Sequence, residues 1–335
     1  MVKRREYWLD VLKIISMFFV ILLHTVCYGV NDKLLSLSLL IYFSGVFAIP
    51  LFFMVNGYLL LRKNENINYA LKKIIKIIII AFMWNIPIFL GTLILKGKII
   101  NLFYNVFLNF NQHGYYWQFW FLGALIIIYL FLPLLQRLFN NEKGHYKYFI
   151  IIFIVICVFA DIFNIYNCSV GNGIIKDNII QTYRLWTWIM FFCLGGFINK
   201  SNIFENISKR NHIFITAILI IITILYEYLF ALKFYNSLFA ENFYDSFIVI
   251  ITCISIFTLF KKIEFNRFKS KIVLLSSLSM GVYIIHPSII RVLKHFYSLN
   301  NNYFNIFASI IVYLVSLTIS YIIMKIPKIS NLIKI

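Results

Sequence analysis

Polar positions are scarce along this chain and come in short clusters, and the segments between them stay apolar for about twenty residues at a time. A helix of that length, at about 1.5 Å per residue, crosses the roughly 30 Å hydrocarbon core of a bilayer. Such runs fall at about 8–30, 35–61, 74–95, 117–139, 147–166, 180–198, 212–232, 243–260, 272–294 and 303–325. A soluble helix would have to return a polar face every turn, and these runs do not. The pattern predicts an all-α, polytopic membrane bundle of about ten transmembrane helices. One further apolar stretch, 99–111, is short and Asn-rich, and is expected at the membrane interface or against the bundle.

The first run follows Lys3-Arg4-Arg5 and extends from Trp8 to Val30. It is too long for a signal-peptide core and has no small-residue cleavage site, so it is expected to remain as the first span. All the connecting segments are short. Residues 1–335 are therefore expected to form a single membrane-embedded domain with no attached soluble domain, and no inverted repeat of the transporter kind is visible.

Composition agrees with the pattern. Of 335 residues, 62% are hydrophobic and 13% charged, about half the charged share that a water-facing surface needs. Mean hydropathy is +0.86. The formal net charge of +19 would suit a nucleic-acid partner if the cations formed one face. Instead, 22 of the 31 Lys and Arg fall in alternate connections, at 3–5, 62–76, 137–147, 200–210, 261–271 and 325–334, against seven in the others. That alternation is the positive-inside pattern; it predicts both termini on the cytoplasmic side and gives no reason to expect nucleic acid. The remaining two, Lys13 and Arg184, fall inside runs. Five cysteines share no metal-ligand spacing and most lie inside apolar runs, so no metal is expected and they are assigned no function.

Ionisable side chains inside spans cost about 2.5–3.5 kcal/mol each on insertion scales, so each needs a partner or a purpose. The candidates are Asp10, Lys13, His24, Asp161, Arg184, Glu227 and His286. Lys13 and His24 are eleven residues apart, about 20° in azimuth and about 16 Å in height along one helix, and Asp10 lies on the same side. Asp10 and Lys13 suit either an ion pair at the cytoplasmic interface or a site role. His24 sits among Ile, Leu and Val and has fewer structural excuses. Asp161, Arg184 and Glu227 are open to pairing with one another.

Several motifs, taken in order, resemble a known family. Trp8-Leu9-Asp10-Val11-Leu12-Lys13 through His24 is similar to the opening helix of the acyltransferase-three superfamily of membrane acyltransferases, where a basic residue precedes a histidine by the same interval. Phe52-Phe53-Met54-Val55-Asn56-Gly57-Tyr58 resembles its span-two motif, and Lys73-Ile74-Ile75-Lys76 stands where Arg-x-x-Arg is usual. Trp120-Phe121-Leu122-Gly123 through Pro133, and Ser279 through Tyr283 to His286-Pro287, resemble two later spans. The departures are Asn56 for Ser, Lys73 and Lys76 for Arg, and Gln118 for a frequent His. The Lys replacements keep the charge but lose the bidentate fork.

The resemblance implies a stand-alone enzyme that transfers an acyl group, usually acetyl, from cytoplasmic acyl-CoA to a hydroxyl of a glycan or its lipid-linked precursor. It implies His24 as general base, with Lys13 and Asp10 orienting the site, and Arg62, Lys73 and Lys76 among the cations gripping the CoA phosphates. Acyl-CoA is then a donor substrate rather than a bound cofactor. Asn56, Tyr58, Arg184, Glu227, Tyr283 and His286 are expected to line the site. Trp117 and Trp120 suit either an acceptor platform or an interfacial aromatic belt. The expected partners are membrane lipid and the glycan acceptor. The Ile, Asn and Lys bias points to an AT-rich bacterial genome and so to a bacterial cytoplasmic membrane. The competing function is a transporter or flippase for a lipid-linked saccharide or polar solute, which would also hold charges in its spans.

Overall fold

The computed structural model describes residues 5–27, 36–297, 299 and 302–334, and among them there are helices and turns but no strand. The expectations that rest on Lys3, Arg4, Lys33 and the end of the first run at Val30 lie outside the described residues. In chain order the helices are α1 (Tyr7–Val26), α2 (Leu37–Phe43), α3 (Ala48–Leu60), α4 (Ile67–Lys96), α5 (Leu102–Phe110), α6 (Trp120–Leu130), α7 (Leu132–Asn140), α8 (Tyr146–Ser169), α9 (Leu185–Lys200), α10 (Lys209–Phe230), α11 (Phe247–Lys261), α12 (Lys269–Phe296) and α13 (Asn302–Lys325).

Among the described residues seven helical segments are long and apolar enough to cross a membrane, or eight if the bent pair α6–α7 counts as one. The ten apolar runs give fewer such helices because three of them are not continuous long helices. The run at 117–139 bends by 57° between α6 and α7. Pro133 in the first turn of α7 cannot donate to the Tyr129 carbonyl, which breaks the ladder there. The run at 180–198 becomes an α-helix only at Leu185, after 3₁₀ turns at Ile175–Asn178 and Gln181–Tyr183, so Arg184 precedes the helix instead of lying inside a span. The run at 243–260 becomes helical only at Phe247 and yields 15 residues. By contrast, α2 and α3 join through a 3₁₀ turn, Ser44–Phe47, into one span of 24 residues. Pro50 lacks the N–H that would bond to Val46, which accounts for the tightened turn.

Helix α1 is central and packs on α3, α11, α12 and α13. Helices α4, α8, α10 and α13 form the outside, where Ile79, Phe159, Ile221 and Leu314 are exposed. So much outward apolar surface is stable only against lipid. The tightest contact joins α3 to α9. A Cβ at Gly57 would lie 1.7 Å from the Phe192 carbonyl oxygen, and one at Gly195 would lie 1.9 Å from that of Met54. Only glycine lets the two backbones approach so closely.

At the end of the bundle away from Arg5, polar groups are paired in ways the sequence did not suggest. Asp161, Arg184 and Glu227 do not pair with one another. Lys176, which counts as a loop cation in the sequence, is buried, with Nζ 3.0 Å from Asp161 Oδ1 and 2.8 Å from Asp245 Oδ1, and it donates to the Asn242 carbonyl. Burial disfavours the ammonium, but the two carboxylates outweigh it and leave the Lys176 pKa raised. Arg184 donates to the carbonyls of Lys176 at 2.6 Å, Ile179 at 3.0 Å and Glu241 at 3.4 Å. Glu227 is fully buried on α10, and neither of its carboxylate oxygens is hydrogen-bonded among the described residues.

Glu241, in a 3₁₀ turn before α11, completes this cap. Burial pushes its carboxyl up to about 7 from an ordinary 4.5, against the opposing pull of Arg184 and of Gln181, whose Nε2 donates to Oε2 at 3.2 Å. A carboxyl whose pKa is higher in the folded state favours folding fully below its unfolded value and loses that contribution as pH rises through the folded one. The interval of 4.5 to about 7 corresponds to about 3 kcal/mol. Thermal unfolding in detergent should therefore shift to lower temperature between pH 4.5 and pH 8, and Glu241→Gln should flatten that part of the profile. An identical profile in the variant would show that Glu241 does not titrate in this window.

Candidate active site

One cavity of about 510 Å³ opens near the Arg5 end of the bundle and runs inward along α1. Lys13 stands at its mouth and His24 at its deep end, on one face of the same helix and about 16 Å apart in height. The mouth also carries Arg62 and Lys63 beyond α3, Lys73 on α4 and Lys334 beyond α13. Most of these cations already have acidic partners. Lys13 lies 3.8 Å from Asp10, Arg62 is 3.2 Å from Glu6, and Lys63 is 3.6 Å from Glu65.

Halfway in, Asn56 bridges α3 and α6. Its Nδ2 donates to the Phe52 carbonyl at 2.9 Å, and its Oδ1 accepts from Tyr129 Oη at 3.2 Å. The asparagine is thus held from both ends of its amide by neighbours, with one donor and one acceptor site left over, and shapes the neck of the cavity. Beyond it the wall consists of Trp120, Phe121, Gln118 and Tyr283. The Tyr283 hydroxyl donates to the Gln118 carbonyl, which ties α12 to the 3₁₀ turn that starts α6. Trp120 is fully buried and packs on Trp188, with ring centroids 5.3 Å apart, so it is a wall of the cavity and not part of an interfacial belt.

His24 is enclosed by rings. Trp117 meets it edge-on at 4.8 Å, and His286 lies parallel to it, with centroids 5.5 Å apart and planes 12° apart. The His286 Nδ1 is 3.0 Å from the Val282 carbonyl. A carbonyl only accepts, so Nδ1 carries the proton and Nε2 is left as an acceptor, without a partner among the described residues. Pro287, next in the chain, cannot donate to Tyr283 and loosens the helix at this point. The imidazole of His24 itself makes no hydrogen bond among the described residues and borders the cavity. A desolvated imidazole with nitrogens not engaged elsewhere can take a proton from a hydroxyl brought beside it.

The structure thus brings Lys13, His24, Asn56, Arg62, Lys73, Trp120 and Tyr283 onto one cavity wall. Trp117 and His286 touch His24 from behind that wall. The other candidates from the sequence are elsewhere. Asp10 is buried beside the mouth, bonded to Arg5 Nε at 2.7 Å and to the Ser276 hydroxyl at 2.7 Å. Tyr58 turns away to Glu6 and Trp8. Lys76, three residues after Lys73 on α4, does not line the cavity. Arg184 and Glu227 belong to the far cap. Sequence reasoning missed Tyr129, Ser276 and the segment around Ile333 and Lys334. The Tyr129 hydroxyl is one position in a motif otherwise read as apolar, and the others become relevant only when distant helices meet.

Among the described residues no group of three or more His, Cys, Asp or Glu is placed to hold a metal ion. A family model described as an acyltransferase domain matches residues 6–325 of the chain. No curated protein and no solved structure matches it.

Proposed function

We propose, on the premise that this chain belongs to the acyltransferase-three superfamily, that it carries an acyl group, most simply acetyl, from cytoplasmic acyl-CoA to a hydroxyl of a cell-surface glycan or its lipid-linked precursor. Acyl transfer within a multi-pass membrane protein follows from the family and the apolar helices. The donor, the acceptor and the base are proposed. The observation that supports it is a cavity joining a cluster of cations at its mouth to an imidazole at its deep end that makes no hydrogen bond among the described residues.

In this reading the phosphates of the donor rest among Lys13, Arg62, Lys63 and Lys73, where several cations line one cavity. The acyl arm extends past Asn56 and Tyr129 and brings its thioester carbonyl beside His24. The acceptor hydroxyl arrives from the other side, near Trp117. As its oxygen bonds to the acyl carbon, His24 takes the hydroxyl proton. Collapse of the tetrahedral intermediate breaks the carbon–sulfur bond, and the departing sulfur receives the proton from His24. Asp10, hydrogen-bonded to Arg5 and Ser276 and ion-paired with Lys13 at 3.8 Å, is a positioning residue that holds Lys13 at the mouth.

The accompanying topology has ten spans with both termini cytoplasmic, in a bacterial cell membrane. It counts α9 and α11, of 16 and 15 residues, as short spans. Both are largely buried among other helices, where neighbours and not lipid satisfy their ends.

The test uses membranes containing the protein, acetyl-CoA labelled in the acetyl group, and cell-surface glycan. Label should enter the glycan in step with release of free CoA thiol, and both should require the protein. Movement of a saccharide across sealed vesicles with no thiol release would replace this reading with transport.

A further inference from the structure

Beyond α13 the chain does not leave the bundle. It turns at Pro327 and Lys328, and returns as a 3₁₀ turn, Ile329–Ile333. Lys328 adopts φ 69°, a conformation that a non-glycine residue keeps only where later contacts hold it. Those contacts are present. Trp84 Nε1 on α4 donates to the Leu332 carbonyl at 3.0 Å. The Ile333 side chain is fully buried, and its Cγ2 lies 3.3 Å from where a Cβ on Gly281 of α12 would be. The returned segment therefore packs on α4, α12 and α13 together. Its last two described residues, Ile333 and Lys334, form part of the cavity wall, alongside Ser276, Ser277 and Lys73.

The charges at this mouth are unequal. Arg62, Lys63 and Lys13 each have a carboxylate within 4 Å, at Glu6, Glu65 and Asp10. Lys73 and Lys334 have no such partner among the described residues. Lys73 is also within electrostatic reach of Lys13, Lys63 and Lys76. Like charges held together this way favour an anion between them. The cation on α4 and the one on the returned segment are thus the two at this mouth whose charge no carboxylate offsets among the described residues.

We infer that Lys334, delivered by the returned segment 329–334, is a donor-binding residue that contacts a phosphate group of the thioester donor together with Lys73, while Ile333 closes the wall beneath it. The inference rests on the reading of the donor as a phosphate-bearing acyl-CoA. It adds a binding residue from a part of the chain that no motif marks.

The experiment is steady-state transfer at low ionic strength with two donors, acetyl-CoA and acetyl-pantetheine, the second carrying the thioester without any phosphate. Lys334→Ala should raise KM for acetyl-CoA by about five- to tenfold, the scale of one lost phosphate contact, with kcat unchanged. Lys334→Arg should restore it, and added salt should shrink the difference. KM for acetyl-pantetheine should not move. An equal rise with both donors would make the segment a structural cover only, and no rise with acetyl-CoA would remove Lys334 from the donor site. Calorimetric titration with CoA itself separates the two readings. CoA binding that weakens in Lys334→Ala, in a protein that transfers nothing, would sink acyl transfer and leave this contact standing. Transfer that proceeds while Lys334→Ala binds CoA like the wild type would do the reverse.

Discussion

His24→Ala is expected to lower kcat for acyl transfer by about two to four orders of magnitude, the usual contribution of a positioned general base. KM for the donor should change little, because the cations proposed to hold its phosphates lie about 16 Å away at the other end of the cavity. Protein abundance should hold, since His24 makes no hydrogen bond among the described residues and borders an open cavity. Its loss leaves neither a new buried void nor an orphaned partner. The neighbouring His286 ring, anchored to Val282 through Nδ1, is not free to take over, because it lies behind His24 and does not line the cavity. The assay is label transfer from acetyl-CoA with matched amounts of wild type and variant. Activity within a few-fold of wild type would exclude His24 as the base and leave it a ring in an aromatic stack.

The largest loss of stability is expected from a single methyl group at the α3–α9 contact. Gly195→Ala would put a Cβ 1.9 Å from the Met54 carbonyl oxygen, and Gly57→Ala one 1.7 Å from that of Phe192. Each obstacle is backbone, so no side chain can rotate out of the way, and the helices must separate by more than an ångström. Overpacking that side chains can absorb costs about 1–3 kcal/mol, and a backbone clash should exceed that range. Activity should fall as well, since α3 carries Asn56 and Phe52 on the cavity wall. Gly91→Ala is the matched control: a Cβ there meets nothing within 4 Å, so its effect should stay within about 0.5 kcal/mol. Melting temperature in detergent and abundance in membranes give the answer. A Gly195→Ala protein that melts like wild type would mean that α3 and α9 are not in backbone contact.

Gly57 shows how far sequence reading reached. It was visible as part of a motif beside Asn56 and Tyr58, but the motif does not say why glycine is needed there. The reason is a helix more than a hundred residues away. Tyr58, from the same motif, turned out to hold Glu6 at the rim and not to face the cavity. Lys13 and His24 fared differently. Both lie on one uninterrupted helix, so their spacing alone placed them on one face, and the cavity follows that face.

The apolar runs determined by themselves that this chain is helical and lies in a membrane, because every residue of a span must meet lipid or neighbour without water, and that demand is written into each position locally. The Lys13–His24 spacing was settled in the same way, by the pitch of a single helix. What only the tertiary structure decided was partnership across elements. Lys176 bridges Asp161 and Asp245, 15 and 69 residues away, instead of serving as a loop cation. His286 stacks on His24, and the segment 329–334 returns to line the cavity mouth. The unbroken run at 180–198 gave way at its start to a 3₁₀ turn, where the buried Gln181 finds a partner in Glu241, and the run at 243–260 is an α-helix only from Phe247. Hydropathy records what each residue needs from its surroundings, and the packing of distant helices decides which neighbour supplies it.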